Sequence, residues 1–114
     1  MRRAVLYYRA KPDKKIPIGL LVFDGKRYSF EYDESALNNL EASRLIDILP
    51  FNRQNITYSD KLFPFFSRRL PDKKRKDYHA ILDRFGIRNN AELELLLVNN
   101  GRLPTDNFEI AEIK

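Results

Sequence analysis

The hydrophobic period of the chain changes after its first third. Up to Tyr32 apolar residues come in short runs or in strict alternation, the period of extended strands. RAVLYYR (residues 3–9) predicts an edge strand after a basic start. IGLLVF (18–23), Asp24-Gly25 and KRYSFEY (26–32) predict an antiparallel hairpin. Asp-Gly suits a two-residue type I′ turn, in which both central residues need positive φ. In the returning strand Tyr28, Phe30 and Tyr32 share one face and Arg27, Ser29 and Glu31 the other, so one face is buried and one solvated.

From Asp33 onward the period lengthens. Asp33 or Ser35 suits the cap of a short helix through ALNNL. EASRLIDILPF (41–51) carries Leu45, Ile46, Ile48 and Leu49 and stops at Pro50, and QNITYS (54–59) predicts a short strand. Pro64 fits the first turn of a helix through FFSRRL, which Pro71 ends. Asp72 then predicts the N-cap of a helix from Lys73 to Phe85, with Gly86 at the position after it. Tyr78, Ile81, Leu82 and Phe85 fall at i, i+3, i+4 and i+7, one face of that helix. NNAELELLLVNN (89–100) predicts another helix, with Asn89 and Glu92 at capping-box spacing, a stripe of Leu93, Leu96 and Leu97 widened by Leu95, and Gly101 as its stop. After Pro104, NFEIAEI predicts a final strand. The pattern adds up to an α+β fold in which a small antiparallel sheet is covered by helices from the C-terminal half. With no internal repeat or linker, the 114 residues are expected to form a single domain, 1–114.

Composition narrows the setting. The chain has no cysteine, which excludes disulfides and thiolate metal sites and fits a reducing, cytoplasmic location. The apolar run of the basic N-terminus stops at Tyr8, too short for a signal peptide or membrane span, so no membrane partner is expected. The net charge of +5 is unevenly spread. Residues 1–32 hold eight basic and three acidic side chains, and residues 61–76 hold seven and one. The two remaining blocks, 33–60 and 77–114, are each acidic by three. Such patchiness steers encounter with an acidic partner, protein or nucleic acid.

Candidate catalytic chemistry is sparse. The four glycines stand at strand or turn positions and form no phosphate loop. His79 is the only histidine and reads as a surface or boundary residue; Asp33/Glu34 and Glu92/Glu94 read as a helix start and a solvated helix flank. The expectation is a protein that is not an enzyme and carries no cofactor or metal. One stretch stands apart: LFPFFSRRLPDKKRKD (62–77) joins an apolar cluster to the most basic block. Phe63, Phe65, Phe66, Arg68, Arg69, Asp72, Lys73, Lys74, Arg75 and Lys76 are therefore the candidate partner-binding residues. The plainer expectation is that one or two of the phenylalanines are core and that the cations solvate a helix end. Four cations at a helix N-terminus oppose the helix dipole, a conflict that points to a use outside the fold.

The order of these features resembles the N-terminal domain of HipA-type serine/threonine kinase toxins. GLLVFDGKRYSFEYDESAL, then LPF, then LFPFFSRRLPD carry the likeness, through Gly19-Leu20, Phe30-Glu31-Tyr32, Leu49-Pro50, Phe63-Pro64-Phe65-Phe66 and Leu70-Pro71-Asp72. DRFGI…ELELLL…NNG is similar to the family's helix pair. The chain departs from the pattern after Leu70-Pro71, where Asp72-Lys73-Lys74-Arg75-Lys76 stands in place of an acid-Gly element often followed by an aromatic.

A chain ending at Lys114, where a HipA-type toxin continues into its kinase, is similar to the HipS component of tripartite HipBST systems. The resemblance implies a regulatory or antitoxin subunit that binds a HipT-like kinase toxin and restrains or modulates it. A HipB-like helix-turn-helix DNA binder is then a further partner, and DNA association is indirect, within the complex. Two other readings stay open: a nucleic-acid-binding accessory module using the basic blocks on phosphates, and an excised N-terminal domain of a longer HipA-like kinase.

Overall fold

The computed structural model describes residues 1–113. Its five strands are β1 (Arg2–Lys11), β2 (Lys14–Phe23), β3 (Tyr28–Tyr32), β4 (Thr57–Ser59) and β5 (Phe108–Ile113). They form one antiparallel sheet in the order β4-β3-β2-β1-β5. Five helices accompany it: α1 (Glu34–Leu37), α2 (Leu40–Ile48), α3 (Pro64–Ser67), α4 (Tyr78–Arg84) and α5 (Ala91–Val98). The fold is α+β.

β1 is interior to the sheet and not an edge strand. Its second partner is the last strand, paired from Arg3↔Ile113 to Tyr8↔Phe108. Nothing near β1 in the sequence announces a partner a hundred residues away. Within β2 a register shift between Leu6 and Tyr7 of β1 skips Ile18. The extra residue resets the strand's parity. Ile16 and Ile18 before it, and Leu21 and Phe23 after it, can therefore all face the same core. The bulge explains why IPIGLLVF shows a run where a regular strand would alternate.

The β2–β3 turn also differs from the expected two-residue form. Phe23 pairs with Tyr28, so the loop spans the four residues 24–27. Gly25 takes φ +105°, whereas Asp24 stays at negative φ. The Asp24 carboxylate accepts the amides of Lys26 at 2.8 Å and Arg27 at 2.9 Å, closing the loop as an Asx turn.

Ala4, Leu6, Leu21, Phe23, Tyr28, Phe30, Phe108 and Ile110 join helix residues in a single core. Helices from both halves of the chain supply it: Ala36 of α1 and Ala42 and Ile46 of α2, as well as Phe66 of α3 and Leu93 and Leu96 of α5. The expected cover from the C-terminal half is present, and α1 and α2 of the N-terminal half add to it. Phe51 stacks on Phe30 at 4.0 Å between ring centres and meets Phe63 edge-on at 5.3 Å. On the opposite face of the sheet Val5, Tyr7, Leu20 and Val22 remain partly exposed.

Caps set the helix ends. Asp33 accepts the Ser35 amide at the start of α1, and Asn39 accepts the Ala42 amide at the start of α2. Pro64 occupies the first turn of α3, as expected. α4 ends as expected as well, with Gly86 at φ +67° and Ile87 N–H donating to Leu82 C=O at 2.9 Å. Its beginning does not match. The helix starts at Tyr78, and residues 73–76 form turns in which the Asp72 carboxylate accepts the Lys74 amide at 2.9 Å. Four successive cations disfavour a helix N-terminus, and here the chain avoids the conflict by starting the helix beyond them. The expected capping box of α5 is absent too: Asn90, at φ 52°, precedes the helix without a side-chain cap. Glu92 instead pairs with Lys73 at 3.1 Å.

Candidate partner-binding surface

The ten candidate residues separate into two groups. Phe63 and Phe66 are buried in the core, and Phe65 is half-buried between Phe66 and Phe108. Arg69 is buried as well, its side chain only 4% exposed. Its Nη1 donates to the Gly101 carbonyl at 2.8 Å and to Asp106 at 3.1 Å, and its Nη2 donates to Asp106 at 2.6 Å. The guanidinium also lies over the Phe65 ring, 4.7 Å from its centre. These four side chains hold α3 and the approach to β5 together and are not an exposed surface.

Arg68, Asp72, Lys73, Lys74, Arg75 and Lys76 are all exposed. They occupy the segment from the end of α3 to the start of α4, which Pro71 and the Asp72 turn hold in a compact course. Two of the cations are partly neutralised. Lys73 is bonded to Glu92, and Arg75 meets Asp77 through two bonds of 2.9 Å. The Arg75 guanidinium lowers the Asp77 carboxyl below its ordinary range and is itself raised. Arg68, Lys74 and Lys76 have no ion pair among the described residues. At the foot of the turn lies a shallow cleft of about 310 Å³, with Leu70, Pro71 and Tyr78 as apolar walls and Asp72, Lys73 and Glu92 at its rim. Leu70, Pro71 and Tyr78 offer a small apolar contact in this cleft, whose one cation, Lys73, is paired with Glu92. The unpaired Arg68, Lys74 and Lys76 stand outside its lining and present positive charge suited to an acidic side chain or a phosphate.

His79 is exposed and lies 5.9 Å from the Tyr78 ring. No group of three or more His, Cys, Asp or Glu among the described residues is placed to hold a metal ion. No helix among them is long and apolar enough to cross a membrane. Sequence reasoning missed a second charged cluster, Arg9, Lys15 and Arg102 around Glu109, because its members are scattered over a hundred positions. Its one local sign is the glutamate between Phe108 and Ile110.

A family model, the HipA N-terminal domain, matches residues 13–104. The match runs from the start of β2 to the loop after α5, leaving β1 and β5, which pair with each other, outside it. No curated protein and no solved structure matches the chain.

Proposed function

The chain belongs to the HipA N-terminal domain family, and from that membership we propose that it is a non-catalytic module that binds a HipA-type serine/threonine kinase and restrains it. In its finer form the proposal is a HipS-like antitoxin subunit whose partner is a HipT-like kinase toxin. The observation that carries the reading is the family match across most of the fold. The exposed turn from Arg68 to Lys76 supports it. A basic turn fixed by a proline and an Asx cap pays little ordering entropy on binding. Its unpaired cations raise the rate of encounter with an acidic or phosphate-bearing kinase surface. The cleft beneath it can take an apolar anchor.

The test is co-expression with a HipA-type kinase that lacks this domain. A stable complex, and slower phosphorylation of the kinase's substrate as the chain is added, are the expected results. Failure to co-purify, with kinase activity unchanged at saturating amounts of folded chain, would refute the proposal.

A further inference from the structure

On the open face of the sheet, four elements bring three cations onto one buried carboxylate. Glu109 of β5 is 5% exposed. It accepts two bonds from Arg9 Nη2 of β1, at 3.0 and 3.1 Å, and one from Lys15 of β2 at 3.0 Å. Arg102, from the loop after α5, adds Nε at 3.1 Å and Nη2 at 2.8 Å. Burial pushes the Glu109 carboxyl up, but the bonds from Arg102, Lys15 and Arg9 outweigh it and hold the group at about 2. The glutamate is ionised at neutral pH.

One carboxylate does not neutralise three cations. Beside the cluster lies a cavity of about 250 Å³, walled by Arg9, Arg102, Leu103, Pro104, Asn107 and Asp106. Asp106 is already bonded to Arg69, so the site as a whole has four cations against two carboxylates. Arg9 Nε and Nη1 and Arg102 Nη1 have no acceptor among the described residues. Glu109 therefore works as a buried template: it fixes three long side chains from separate strands and loops and leaves donors of two guanidinium forks unused. We propose that this cavity binds a phosphate dianion, free or carried on a ligand, with Arg9 and Arg102 as its donors and Glu109 as the positioning residue. The excess of two positive charges matches a dianion, and guanidinium forks match the paired oxygens of a phosphoryl group. The cavity is roomier than a single oxyanion and open to solvent, so a phosphoryl group on a larger molecule can also enter.

The site is separate from the Arg68–Lys76 turn, so the two claims fail separately. The test is an NMR titration of the full chain with inorganic phosphate above neutral pH, with ionic strength held constant by chloride. Saturable shifts are expected at the Arg9 and Arg102 side chains and the Leu103 and Asn107 amides. Arg102→Ala is expected to weaken binding at least tenfold, whereas Lys74→Ala leaves it unchanged. O-phosphoserine run in parallel identifies the source: equal affinity assigns the site to phosphate itself, and tighter binding assigns it to a phosphoryl group on a carrier. Both results support the proposal. Non-saturating shifts spread over every basic side chain, or acetate binding as tightly as phosphate, would overturn it. The wild-type map decides the matter even if the Arg102 variant fails to fold.

Discussion

Arg69 and Asp106 are joined by two hydrogen bonds, of 2.6 and 3.1 Å, between a buried guanidinium and a carboxylate at the entrance to β5. Arg68, the preceding residue, points into solvent with no ion pair among the described residues. One step along a helical turn thus separates a structural strut from a free surface charge. The strut ties α3 to the loop that delivers the last strand to β1.

Arg69→Ala is therefore expected to destabilise the fold by about 3 kcal/mol. That is the low end for breaking a buried pair, because Asp106 keeps 31% of its side chain exposed. Arg68→Glu is expected to change stability by less than about 0.5 kcal/mol. Urea unfolding of the two variants side by side checks the contrast.

Local signals in the sequence were legible and distant ones were not. The β2–β3 hairpin, the Asp33 cap, the Pro64 start of α3 and the Gly86 stop of α4 are written in neighbouring residues, and the structure has them all. The place of β1 inside the sheet depends on β5, and the burial of Arg69 depends on Asp106 and Gly101, so neither is visible locally. The start of α4 was misread because Asp72 is a good cap in isolation. The same aspartate serves equally well to close a turn, and four following cations favour that outcome. Composition alone marks residues 62–77 as a candidate, and the exposure of Arg68 and Lys73–Lys76 fits the solvated charge expected there. The inward direction of Phe63, Phe66 and Arg69 was not legible in it.

Gly19 marks a close approach. A Cβ there would lie 2.4 Å from the Phe30 ring and 2.6 Å from the Glu31 carbonyl oxygen. The ring is fully buried and the carbonyl belongs to the β2–β3 ladder, so neither can retreat cheaply. Gly19→Ala is expected to cost about 1–3 kcal/mol or more by overpacking, read as a lower urea midpoint with unchanged slope.

Glu109 sets an acid sensitivity. Its folded carboxyl, at about 2, lies below the ordinary 4.5, so its stabilisation is present in full above about pH 4.5 and is lost as pH falls toward 2. Glu109→Gln is expected to be less stable than wild type at neutral pH. The gap between the two should narrow through that acid window. Chemical unfolding at a series of pH values measures it, and a constant gap would contradict the assignment.

Binding of the isolated chain to duplex DNA is expected to be weak. The turn has three unpaired cations, Arg68, Lys74 and Lys76, which contribute about −3 to the log–log salt slope if each meets one phosphate. Filter binding across a salt series gives the slope. Tight binding that discriminates sequence at physiological salt would favour a nucleic-acid role instead.

The most direct measurement is association of the chain with a HipA-type kinase lacking this domain, comparing wild type with the combined Arg68→Glu, Lys74→Glu and Lys76→Glu variant. All three side chains are exposed, so the variant is expected to melt as wild type does. The account predicts an association rate constant at least tenfold lower for the variant, with a shallower dependence on salt. A folded variant that binds the kinase as fast and as tightly as wild type would contradict it.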